Sequence, residues 1–170
     1  MKTLFRGLFF GIVPLGFLAL LGGCESTGEP LAPFVEADHA QYLTTGTGVI
    51  TGQASAPSEE GMVRPKAGVT VLLMPDTPHF VDWLQRETNG GGWPPPIDEE
   101  AQKYVRATVS GTAGWFSFHH LPNGRYIVFV RLTWQNSAAQ YSGADNSPTV
   151  AFVEITRGET ENVVLQPAAP

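Results

Sequence analysis

Metal or acid–base chemistry in this chain would have to draw on four histidines, His39, His79, His119 and His120, and two acidic pairs, Glu59-Glu60 and Glu99-Glu100. His119 and His120 are neighbours, so on a strand their side chains leave opposite faces and do not readily share one metal ion. A site that adds His39 and His79 needs distant loops to converge, and histidines at the surface are the simpler expectation. The acidic pairs fall in a loop and at a helix start, where solvation and the helix dipole account for them. Neither a Ser-His-Asp order nor a paired-carboxylate motif stands out, so the chain reads as a non-enzyme needing no cofactor and no metal. Trp93, Trp134 and Tyr141 lie in or beside loops and are the candidate ligand-binding residues, an aromatic platform for sugar or peptide. The competing arrangement packs Trp83, Trp93 and Trp134 into a second small core beneath an insertion.

The chain's one cysteine, Cys24, has a distinctive setting. Lys2 and Arg6 open the chain, residues 7–21 are almost uninterruptedly apolar, and Gly22 and Gly23 lead to the thiol. That is the three-part layout of an export signal. The run Leu21-Gly22-Gly23-Cys24 resembles the bacterial lipoprotein lipobox. The resemblance implies cleavage after residue 23 and lipidation of Cys24, hence a membrane partner. Each buried CH₂ adds roughly 0.8 kcal/mol, and more than one acyl chain makes attachment durable. A transmembrane reading fits poorly, because the apolar stretch is 15 residues, short of the roughly 20 that a spanning helix needs. Pro14, Gly11 and Gly16 weaken it further. The polar residues 25–30 argue against a buried core cysteine. Glu25 is not the aspartate that commonly retains such proteins at the inner membrane. The resemblance therefore implies a lipid-anchored cell-envelope protein, sorted to the outer membrane where the source has two, facing the periplasm or the cell surface.

Removing residues 1–23 leaves one domain's worth of chain. The full sequence carries 10 Lys+Arg against 16 Asp+Glu, and loss of Lys2 and Arg6 makes the balance more acidic still. Nucleic acid is thereby excluded as a partner, while an envelope protein or a glycan is not. With Cys24 lipidated, no thiol remains for a disulfide, so the fold rests on its core alone. The high Gly and Pro counts, 19 and 14, point to many short strands joined by turns.

Seven strands are expected: 48–54, 69–74, 104–109, 115–118, 125–134, 149–155 and 160–165. Residues 24–45 read as lipidated N-terminus and flexible tether, with Phe34, Val35, Tyr42 and Leu43 as the signal that part of it packs instead, residues 55–65 as a loop, and 167–170 as a tail. In the longest strand Tyr126, Val128, Val130, Leu132 and Trp134 share one face. Ile127 and Phe129 stand on the other, which a sandwich would normally show to water. Something must cover it, and the insertion 76–103 is the candidate. Within it the sequence predicts a helix over 78–87 with Thr77 as N-cap and Pro78 in the first turn. Phe80, Trp83, Leu84 and Glu87 share one face of that helix, Trp83 being the main anchor. Asp98 would cap a second short helical piece ending at Lys103.

Four runs then form a pattern: Gly48-Val49-Ile50-Thr51-Gly52; Pro65-Lys66-Ala67-Gly68-Val69-Thr70-Val71; Gly114-Trp115-Phe116-Ser117-Phe118-His119-His120-Leu121-Pro122-Asn123-Gly124-Arg125-Tyr126; and Arg157-Gly158-Glu159-Thr160. They resemble the carboxypeptidase regulatory-like domain, over about residues 46–166. The resemblance implies an all-β fold, a seven-stranded transthyretin-like β-sandwich with a partly helical insertion, serving as a non-catalytic binding or structural module. Two features depart from the family pattern: Thr112-Ala113-Gly114 lacks the usual aspartate, and segment 76–103 is long. Ureide hydrolases of the same superfold end in Tyr-Arg-Gly-Ser, whereas this chain ends Gln166-Pro167-Ala168-Ala169-Pro170. A small hydrolase is therefore the weakest alternative. An internal Lys–Asn cross-link of the kind found in related adhesin sandwiches is disfavoured too. Lys66 precedes its strand, and Asn162 has no assigned carboxylate partner.

Overall fold

Inward apolar side chains alternating with outward polar ones pack two four-stranded sheets face to face. The computed structural model describes residues 31–58, 62–89, 96–135 and 144–167. In chain order the elements are α1 (Glu36–His39), a 3₁₀ turn (Ala40–Leu43), β1 (Gly48–Pro57), β2 (Val63–Pro65), β3 (Thr70–Pro75), α2 (Pro78–Asn89) and α3 (Glu99–Gln102). There follow β4 (Arg106–Val109), a 3₁₀ turn (Thr112–Gly114), β5 (Trp115–Leu121), β6 (Gly124–Gln135), β7 (Ala144–Ile155) and β8 (Thr160–Leu165). In the first sheet β1 pairs antiparallel with β5 and β2 and parallel with β8. The second runs β4-β3-β6-β7, antiparallel throughout. Ile50 and Phe118 of one sheet, Leu73 and Val128 of the other, and Leu165 are buried between them.

All seven expected strands are present, and an eighth, β2, forms inside the segment read as a loop. Its three residues are all exposed and show no alternation. What makes them a strand is pairing of Val63 to Pro65 with Pro57 to Ser55. Residues 104 and 105 leave β4 for the turn after α3, where the Tyr104 N–H donates to the Ala101 carbonyl at 3.0 Å.

The outward face of β6 is covered as its composition demands. Phe80, Trp83, Leu84 and Glu87 form the buried stripe of α2, and Trp83 meets Phe129 edge to face at 5.6 Å. Glu87, buried at the end of that stripe, is paired with the Arg131 guanidinium on the same outward row of β6. Such a pair makes the docking specific, because either charge left alone there would be costly. Thr77 begins α2 through its carbonyl, which accepts from the Val81 N–H at 2.9 Å. Asp98 stands at the N-cap of α3 as expected, its carbonyl accepting from the Ala101 and Gln102 N–H groups and its side chain making no cap bond.

From Leu31 onward the expected tether is corrected to a packed strap. The Ala32 N–H donates to Asp82 Oδ2 and the Ala32 carbonyl accepts from His79 Nδ1, both at 2.7 Å. The hydrogen bond from the Ala32 N–H, and then the one from Arg86, hold the Asp82 carboxyl below its usual range. Tyr42 closes the strap: its hydroxyl donates to the Arg125 carbonyl at 3.1 Å. Its ring lies so near Gly124, where φ is +154°, that a Cβ there would stand 2.7 Å from the ring.

The turn before β5 also needs its glycine. Gly114 has φ +75°, and a Cβ on it would stand 2.3 Å from the Ala54 carbonyl oxygen. At the opposite turn the Tyr126 hydroxyl donates to the Pro122 carbonyl at 2.7 Å in a buried setting. Burial holds that phenol protonated well above the ordinary tyrosine range. Tyr126→Phe leaves the carbonyl unsatisfied and is expected to cost about 1–3 kcal/mol. Urea unfolding checks this, as a lower midpoint at unchanged slope.

Candidate functional site

The outward face of the first sheet is built by simple alternation. Phe116 and Phe118 of β5 are buried, so Trp115, Ser117 and His119 point away from the core. Ile50, Gly52 and Ala54 turn inward on β1, leaving Val49, Thr51 and Gln53 outward. On β8 the outward set is Thr160, Asn162 and Val164. Strand register aligns these into rows: Gln53 lies opposite both Trp115 and Val164, and Thr51 opposite both Ser117 and Asn162.

Trp115 is 57% exposed and Val164 68%. A large indole left in water on a sheet face is the notable feature, since the protein gains little stability from it. The polar groups around it are held by one another. Gln53 Nε2 donates to the Ala113 carbonyl at 2.8 Å, leaving its Oε1 as an acceptor. The Thr51 hydroxyl donates to Asn162 Oδ1, leaving the Asn162 amide hydrogens. Ser117 Oγ and His119 Nε2 are 2.9 Å apart. The outward residues named on these three strands include no Asp, Glu, Lys or Arg. The result is an apolar plate bordered by fixed, uncharged donors and acceptors, fit to stack on a flat apolar surface while bonding polar groups at its rim.

The histidines sort differently from expectation. His39 and His79 are buried rather than at the surface, with ring centroids 6.5 Å apart. Each donates through Nδ1 at 2.7 Å to a strap carbonyl, His39 to Val35 and His79 to Ala32. The Thr77 hydroxyl meets His39 Nε2 at 2.8 Å, and Phe34 packs on the His39 ring at 4.5 Å. His79 Nε2 faces the Asp98 carboxylate at 3.8 Å. These imidazoles fasten the strap to α2, and at 1% exposure neither is open to a substrate. His119 and His120 are both exposed, because His120 takes φ +58° beside a register shift opposite β1 and breaks the alternation. Among the described residues no three His, Cys, Asp or Glu side chains come together as a metal site.

Of the residues singled out from sequence, Cys24, Trp93 and Tyr141 lie outside the described residues. Trp134 sits near the end of β6, its backbone opposite Asp145, and its side chain is likewise outside the description. Trp115 was not among those candidates. The signal for it was present in Trp115-Phe116-Ser117-Phe118: phenylalanines that enter the core send the tryptophan outward. No helix among the described residues is long and apolar enough to cross a membrane.

No protein-family model and no curated protein matches the chain. Solved structures do match. A Pseudomonas aeruginosa protein provisionally described as carbohydrate-binding superposes with a TM-score of 0.71 at 24% identity, over 81% of this chain and 100% of that one. A minor pilin of Streptococcus agalactiae gives 0.40 at 17% identity, over 75% of this chain and 49% of its own. The major pilin subunit of Bacillus cereus gives 0.42 at 16%, over 72% and 29%. The first of these shares the β-sandwich fold.

Proposed function

We propose that this chain is a lipid-anchored, non-catalytic binding module of the cell envelope, and that its ligand is a glycan held on the β5-β1-β8 face. One observation carries the ligand: the exposed Trp115 indole stands beside uncharged, pre-oriented hydrogen-bonding side chains, Gln53 in its own row and Thr51 and Asn162 in the next. A pyranose ring offers what such a plate recognises, an apolar face of C–H groups ringed by hydroxyls that both donate and accept. The carbohydrate-binding description of the Pseudomonas protein agrees with this reading, and its likeness to this chain contributes the fold. The carboxypeptidase regulatory-like assignment belongs to the same proposal. Its support is the run from Gly114 to Tyr126, which forms β5, the turn at Pro122 and the start of β6. The anchor rests on the N-terminal signal and Cys24.

Fractionation of the expressed full-length protein tests the anchor. Wild type should partition with membranes, and Cys24→Ser should lose the acyl mass and with it the membrane association. Wild type recovered from the soluble fraction with a free thiol at residue 24 would remove the anchor. Co-sedimentation of the protein with insoluble chitin, cellulose or peptidoglycan sacculi tests the ligand, and failure on every polysaccharide would remove the glycan.

A further inference from the structure

We infer that the β5-β1-β8 face takes the interior of a long, uncharged polysaccharide chain, and neither a chain end, a free sugar nor a charged polymer. The inference rests on the glycan reading and narrows it. Neighbouring strands lie about 4.8 Å apart, so each row of three residues spans about 10 Å across the sheet. The strap and α2 lie against α3 and the second sheet, while Trp115, His119, Thr160, Asn162 and Val164 are exposed on the first. Among the described residues the site is therefore a plate without walls. Recognition of a terminus or a reducing end needs groups that close around it, and an open plate supplies none.

Charge narrows the ligand further. The outward residues of the three strands carry hydroxyl, amide, imidazole, indole and aliphatic groups and no fixed charge. Arg106, which donates to the His119 carbonyl at 2.9 Å, is a cation at the margin of β5. The chain as a whole has a formal charge of −6, which opposes a polyanion approaching the face. A uronic-acid or phosphate-bearing polymer laid across the three strands would lose its water there without gaining an ion pair from their outward residues. Gln53 Oε1 as acceptor and the Asn162 amide as donor stand in adjacent rows on adjacent strands. They match the hydroxyls or the acetamido group of a neutral sugar.

Calorimetric titration of the full chain in detergent tests this, with chito- and cello-oligosaccharides of two to six units as probes. Affinity should rise with length, the hexamer binding at least roughly tenfold tighter than the dimer. Borohydride reduction of the hexamer's end should leave it unchanged, and polygalacturonate should bind more weakly than any neutral hexamer. A dimer that matches the hexamer, a reduced end that abolishes binding, or a preference for polygalacturonate overturns the inference and leaves the glycan reading standing. Absence of binding in every series overturns both.

Discussion

Trp115→Ala is expected to lose retention on the polysaccharide that wild type binds, weakening affinity by at least roughly thirtyfold, about 2 kcal/mol. Among the described residues the indole is the one large flat surface on that face, and stacking on it is the term that hydroxyl-bonding neighbours cannot replace. Stability should hardly move. Trp115 is more than half exposed, and surface substitutions of this kind usually stay within about 0.5 kcal/mol. Trp115→Phe keeps a smaller plate and should keep part of the affinity. Calorimetry of both variants beside thermal unfolding makes the check. Undiminished binding by Trp115→Ala at unchanged Tm would mean the ligand sits elsewhere.

Trp83→Ala should do the reverse, damaging the fold by about 3–5 kcal/mol. Against a total stability of roughly 5–15 kcal/mol, that is enough to leave part of the chain unfolded at physiological temperature. The size follows from position. Trp83 is 4% exposed and fills the gap between α2 and Phe129. Truncation would open a cavity beside Met74 and Ile127, which are fully buried on the same side. It would also loosen α2, which carries the His79 and Asp82 contacts that hold the strap at Ala32. Protease susceptibility near residue 32, measured with chemical denaturation, should therefore rise together with the loss of stability. Trp83→Phe, which retains an aromatic edge for Phe129, should recover more than half of the loss. If Trp83→Ala unfolds like wild type, α2 contributes little to the fold.

Seven of the strands were readable because each obeys a local rule: alternation in β5, two apolar faces in β6, glycines at the turns; β2, exposed throughout and set only by its pairing with β1, was not. The helix α2 was readable for the same reason, its buried stripe being written at helical spacing. The strap was not. Phe34 and Tyr42 hint at packing, but their partners, Tyr104 and Tyr126, are far along the chain, and α1 has no capping side chain to announce it. The histidines misled for a related reason. An imidazole whose partners are backbone carbonyls leaves no motif, so the burial of His39 and His79 could not be read from residue types. At the candidate site the expectation went to aromatics in loops, while the alternation that turns Trp115 outward lay in the strand pattern itself.

The most direct test is an NMR titration of the ¹⁵N-labelled chain with a neutral hexasaccharide that it binds. The proposed site requires the largest shifts at the Trp115 indole N–H, the Gln53 and Asn162 side-chain amides and the backbone amides of β5, β1 and β8. The second sheet should be little changed. Shifts concentrated at Trp93, Trp134 and Tyr141, with the Trp115 indole unmoved, would contradict it.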